Sequence, residues 1–256
     1  MPHFKRYIGI NYSGAEGPNS RLMALQAFQA IGDDKVWAVR TSAGPWNWSR
    51  QELAGWLVHV LGGPDRCIVG IDHPFSFPES YFKRYGLPDW HSFLKDFSYY
   101  WPTAEDYNFV DFVREEKPPR TGRSSEHRLV EEREHSPKSV FKFTGIGGVA
   151  KAAHAGIPWL YFLKVHPMLR DKVHFWPFDG FQVPENKSVL VEVDSGKISK
   201  LYPRIGCHKW AHNAYTVAKW LQDNDHHGTW AKYFAPQLTE TEKNTVLKEG
   251  WIFGII

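Results

Sequence analysis

Three short apolar runs, each carrying one side-chain oxygen donor, constrain this chain most. They are Tyr7–Asn11 (Tyr-Ile-Gly-Ile-Asn), Ile68–Asp72 (Ile-Val-Gly-Ile-Asp) and Val189–Val193 (Val-Leu-Val-Glu-Val). Runs this short, without polar alternation, suit strands buried on both faces, and such sheets are covered by helices. The helices are legible too. Ser49 with Glu52 forms a capping box before Leu53, Trp56, Leu57, Val60 and Leu61 at helical spacing, and Gly62-Gly63-Pro64 stops it. Trp210, Ala214, Val217, Ala218 and Leu221 make a second stripe, with Asn213 at its edge. Thr239 with Glu242 opens a last helix. Val36–Thr41 reads as a further strand, whereas Leu22–Ile31 fits either a helix or a strand. The expectation is one α/β domain over residues 1–256, with a less regular insertion over 75–140.

That insertion holds much of an aromatic surplus. The chain is 16% Phe, Trp and Tyr, and these residues recur through Phe75–Trp101. They form either a small second core beneath the insertion or a wall beside a site. From Arg114 to Lys138, Lys and Arg alternate with Glu, which reads as a solvated, salt-bridged surface. Arg120, Arg123, Arg128 and Arg133 would otherwise be candidates to meet phosphates. With 31 Lys+Arg against 28 Asp+Glu, net charge supplies no strong polyanion-binding field. Two cysteines, Cys67 and Cys207, fit a reducing compartment. No run approaches the ~20 apolar residues of a membrane helix. A soluble cytoplasmic protein without a membrane partner is expected.

Asn11 and Asp72 stand at the ends of two buried runs, and Glu192 lies inside the third. In open α/β sheets, sites form at the carboxyl ends of strands. Oxygen ligands converging there suit Mg²⁺ or Mn²⁺, which activate water in phosphodiester hydrolysis. The plainer alternatives are a turn cap for Asp72 and an outward-facing strand residue for Glu192. Gly145-Ile-Gly-Gly148 lacks the strand and the later acid of a dinucleotide fingerprint, and makes better sense as a turn into a helix at Val149–Ala155. His226-His227 reads as a polar loop. No Ser stands in a Gly-x-Ser-x-Gly elbow.

Several segments resemble, in order, the domain-of-unknown-function family 429 of the ribonuclease H-like superfamily. They are Gly9-Ile-Asn-Tyr-Ser-Gly-Ala15, Gly70-Ile-Asp-His-Pro-Phe-Ser-Phe-Pro78, Ser136-Pro137 leading to Gly145-Ile-Gly-Gly148, Gly156-Ile-Pro158, Trp176-Pro-Phe-Asp179, Val191-Glu-Val193, Asn213-Ala-Tyr215 and Glu249-Gly-Trp-Ile252. Together they span nearly the whole chain. The resemblance implies a ribonuclease H-like fold, a mixed central sheet flanked by helices. It also implies a metal site of acids on the first strand, a later strand and a C-terminal helix, falling here on Asn11, Asp72, Glu192 and Asn213. Two of these depart from the family pattern, which has Asp at positions 11 and 213. Asn keeps an oxygen but loses the charge, which weakens Mg²⁺ binding. Three explanations stand: a degenerate member, a site rebuilt for another metal around His212 or His73, or an inactivating change at one position. The expected function is a metal-dependent nuclease or phosphohydrolase acting on nucleic acid or a nucleotide. Its alternative is a catalytically dead binding or scaffold protein that keeps the fold.

Overall fold

The computed structural model describes residues 3–41, 44, 47–136, 138–145, 148–204 and 206–256. Pro137, Ile146 and Gly147 of the family-like segments lie outside the described residues. Among the described residues, six strands build one mixed sheet: β1 (Arg6–Asn11), β2 (Gln26–Ile31), β3 (Trp37–Ala38), β4 (Cys67–Asp72), β5 (Val173–Phe175) and β6 (Ser188–Glu192), in the order β3-β2-β1-β4-β6-β5. The first three pair antiparallel, while β1, β4, β6 and β5 run parallel. The ambiguous segment before Ile31 is thus a strand. It starts four residues later than its apolar run, because Leu22 and Leu25 are spent in the turn that leads into it.

Two helical layers cover the sheet. On one face lie α1 (Arg50–Leu61), with the Ser49–Glu52 capping box in place, and α6 (Ala150–Val165). On the other lies α8 (Lys209–His226), whose small residues Ala211, Ala214 and Ala218 let it approach β1 closely. Gly9 marks that approach, since a Cβ there would stand 2.2 Å from the Ala214 carbonyl oxygen. The remaining helices are α2 (Glu79–Tyr85), α3 (Trp90–Tyr100), α4 (Val110–Glu115), α5 (Leu129–Arg133), α7 (Ser195–Ile198), α9 (Ala231–Phe234) and α10 (Glu240–Glu249). Among the described residues, no helix is long and apolar enough to cross a membrane.

The aromatic insertion forms no separate core. Phe75, Phe77, Tyr81, Phe93, Phe97 and Trp101 belong to the same apolar cluster as Ile8, Ile10, Val69, Ile71 and Leu190 of the sheet. Phe77 and Phe97 meet the ring of His154 on α6 at 5.2 and 5.3 Å, which welds the insertion to the helix over the sheet. Cys67 is buried in that cluster, and both cysteines are free.

Candidate functional site

Register decides which predicted residues meet. Asn11 on β1 pairs with Asp72 on β4, so both stand at the carboxyl edge and point to the same face. That face carries α8. Glu192 on β6 pairs with Ile71, one residue short of Asp72. Side chains alternate along a strand, so Glu192 leaves the sheet on the opposite face. The clusters agree: Ile71 and Leu190 pack with α1 and α6, whereas Val189, Val191 and Val193 pack with Val217 and Leu221 of α8. The four expected ligands therefore do not share a face: Asn11, Asp72 and Asn213 stand on the α8 side, and Glu192 leaves the sheet on the other.

Asn11 and Asn213 bond directly. The Asn213 amide donates to Asn11 Oδ1 at 2.9 Å, while Asn11 Nδ2 donates to the Ala24 carbonyl at 2.7 Å. Both residues are buried. Two carboxylates so placed would repel unless one were protonated or a cation sat between them. The amide pair needs neither.

Asp72 faces the cleft with a different partner. The Ser195 hydroxyl donates to Asp72 Oδ2, and the Ser195 N–H donates to Oδ1 at 3.3 Å. Burial pushes the Asp72 carboxyl up to about 6, against the Ser195 hydroxyl bond and the charge of Lys138, with Asp194 adding to the rise. Asp194 caps α7 through the Lys197 N–H and accepts from Lys138 Nζ at 2.6 Å. The Asp72 carboxyl is thus held above the usual carboxylate range, and Asp72 has no ion-pair partner among the described residues, Lys138 being paired with Asp194.

Glu192 is 3% exposed and is neither a surface residue nor an open ligand. Arg128, 1% exposed, grips both its oxygens at 2.6 and 2.8 Å. The Phe75 N–H donates to the same carboxylate at 2.8 Å. Arg128 also bonds Glu131 at 3.1 Å. This corrects the reading of 114–138 as wholly solvated surface: Arg128 and Glu131 turn inward, flanked by the buried Val130.

A cleft of about 270 Å³ opens over this edge. Asp72, Glu192 and Asn213 line it, joined by Arg128, Lys138 and Lys209. The residues present do not fit Mg²⁺ or Mn²⁺. Such ions want several unengaged oxygens with negative charge. Here both Glu192 oxygens face a guanidinium, Asn11 Oδ1 is taken by Asn213, and Asp72 is the one carboxylate not neutralised by direct contact. Among the described residues, no group of three His, Cys, Asp or Glu side chains is arranged to hold a metal. His212 does not repair this. It is buried and adjacent to Asn213 on α8, yet it does not line the cleft, and its Nδ1 has no hydrogen-bond partner. Consecutive helical residues diverge by about 100°, which carries His212 off the Asn213 direction. His73 lines the cleft as a core histidine: burial lowers it to about 4, and its Nδ1 is 2.8 Å from the Pro74 carbonyl.

Sequence reasoning missed Ser195, Lys138 and Asp194, and placed Arg128 on the surface. The Arg128-x-x-Glu131 spacing around two apolar residues was a usable signal for the inward pair. Ser195 carried none. No protein-family model matches the chain, and neither a curated protein nor a solved structure does.

Proposed function

We propose that this chain is a ribonuclease H-like protein, related to domain-of-unknown-function family 429, that binds a phosphate-bearing ligand in its strand-end cleft without two-metal hydrolysis. One observation carries the reading. The acid expected on the later strand is held by Arg128, and the two Asn that stand for acids hold each other. Positive charge that a metal would bring is already built into the protein. The mixed sheet, with Asn11, Asp72 and the C-terminal helical Asn213 at one edge, supports the fold part of the proposal. Lys209 supports the ligand part: it lines the cleft, is exposed, and has no ion-pair partner among the described residues.

A second reading is a metal-free hydrolase with Asp72 as general base, favoured by the carboxyl titrating near 6 and facing the cleft. One experiment separates the readings. DNA, RNA and nucleotides are screened for binding and for cleavage, with and without Mn²⁺, beside Asp72→Asn and Lys209→Glu. The proposal expects binding that Lys209→Glu weakens and no cleavage. Cleavage lost in Asp72→Asn overturns it, towards a metal enzyme if Mn²⁺ is required and towards the general base if it is not. Calorimetry adds a check: Mn²⁺ heats are expected in Asn11→Asp/Asn213→Asp/Arg128→Met and not in the wild type.

A further inference from the structure

A larger cavity lies away from the cleft, between the N-terminal segment, the loop after β5, and α9 with its link to α10. It is open to solvent on one side and has a volume of about 800 Å³. Phe4, Phe181, Val183, Trp230, Phe234 and Leu238 supply its apolar walls. Among the described residues, the ionisable ones that line it are His3, Arg66 and Lys243, and none is Asp or Glu. In a chain with nearly balanced charge, that is one-sided.

The cations are available. Arg66 donates to the carbonyls of Lys187, His3 and Pro184, and lies over the Phe4 ring at 4.4 Å, with no carboxylate at ion-pair distance among the described residues. Asp225 and Glu185 act on Arg66 only through space, and the Asp225 oxygens accept from the His3 and Phe4 N–H groups and the Tyr7 hydroxyl. Lys243 pairs with Glu240, whose side chain is 86% exposed, so that bond is readily exchanged. Trp230 supplies an aromatic wall beside the cations. Trp230 is 4% exposed, and its indole N–H has no acceptor among the described residues.

We propose that this cavity is a second binding site, for a small amphipathic carboxylate whose alkyl or aromatic body packs on Phe4, Trp230 and Phe234 while its head meets Arg66 and Lys243. Apolar lining with a few convergent polar groups is the usual make-up of a small-molecule site. The absence of any lining carboxylate selects an anion over a neutral or cationic amphiphile. Nothing in this site depends on the cleft at the strand ends.

The test titrates dodecanoate, below micelle formation, and 2-naphthoate into the whole chain, with dodecanol and dodecyltrimethylammonium as matched controls. Calorimetry gives affinity and stoichiometry. The indole N–H resonance of Trp230, assigned with Trp230→Phe, reports the site. One carboxylate per chain is expected, with a shift of that resonance. Lys243→Glu is expected to weaken binding about tenfold, since reversing a partly exposed contact charge acts at that scale. It sits on a helical surface and leaves the fold intact, which circular dichroism verifies. The proposal fails if neither carboxylate binds, if the alcohol or the ammonium binds as tightly, or if Trp230 does not respond. It fails equally if sedimentation shows a dimer that carboxylate does not disturb and Lys243→Glu dissolves, for then a second copy fills the cavity.

Discussion

At the scale of single residues, this cleft is defined by how each charge is compensated. Arg128 balances Glu192 and Glu131 where almost no water reaches them. Removing one member of a buried pair strands the other, at a cost of about 3–5 kcal/mol. Arg128→Met is therefore expected to lose about that much in urea unfolding, and Arg128→Met/Glu192→Leu to recover part of it, the rest of the loss being Glu131 left buried without its cation. A double variant no better than the single would show that the guanidinium acts through packing. Asp72 is the opposite case, an acid that no cation among the described residues neutralises by contact. Its carboxyl ionises near 3.8 in a free chain and near 6 in the fold. Between those values the folded state keeps a proton that the unfolded chain has released, so the Asp72 contribution to stability falls as pH rises from about 4 to about 6. Asp72→Asn removes that slope, and the gap between variant and wild-type stability should widen in the variant's favour across the window. Glu249, raised to about 7 by burial, has the same sign, but it is present in both proteins and cancels. Parallel stability curves for the two proteins would contradict the assignment.

Elements place these residues through close backbone contacts. α8 reaches β1 where Gly9 leaves room, and this brings Asn213 to Asn11. A methyl at Gly9 would stand 2.4 Å from the Ala218 nitrogen as well as 2.2 Å from the Ala214 oxygen, both backbone atoms that cannot swing aside. Gly9→Ala should cost at least the 1–3 kcal/mol typical of overpacking, seen as a lower urea midpoint, and should shift the Asn213 side-chain amide resonances. Gly55, inside α1, is the contrast, since a methyl there would meet nothing within 4 Å. Gly55→Ala should stabilise by about 0.5–1 kcal/mol, because alanine gives up less chain entropy in a helix. These elements were largely legible in sequence. The apolar runs ending at Asn11 and Asp72, the Ser49 and Thr239 caps and the α8 stripe from Ala214 to Leu221 lie where local pattern placed them, whereas Trp210, counted in that stripe, is exposed. What stayed hidden depends on neighbours far along the chain. Val-Leu-Val-Glu-Val shows that Glu192 alternates with valines, but only the pairing of Ile71 with Glu192 decides which face it takes. The three-residue β5 is too short to show a period, and Arg128 looks exposed because the acids that bury it lie partly at position 192.

For the whole molecule, the question is whether the insertion over 75–140 is an appendage or part of the fold. Phe77 answers it. Fully buried, it touches Tyr81, Phe93, Phe97, Phe141 and His154 with ring centroids 4.9–5.2 Å apart. His154 lies on α6, which packs against the sheet, and burial among these rings lowers its imidazole to about 3. The histidine thus stays neutral and behaves as one more ring of the core. The C-terminal end of the chain binds the insertion from the other side. The Glu249 carboxylate accepts the first N–H groups of α2 and α5, from Glu79 at 2.5 Å and Leu129 at 2.6 Å. Arg128 adds a charged tie from the insertion to β6. Opening the insertion would therefore expose one apolar face of the sheet and strand Glu192, so it cannot melt first at low cost. A single unfolding transition is expected, with far-ultraviolet dichroism and tryptophan fluorescence superimposed. Phe77→Ala should lower stability by about 3–5 kcal/mol, as for large aromatic truncations in a closed core. It should do so without splitting the transition, because the loss is shared by the sheet, α6 and the insertion. An early phase confined to the insertion's tryptophans, Trp90 and Trp101, would show instead that the cleft's Arg128 rides on an independently folding unit.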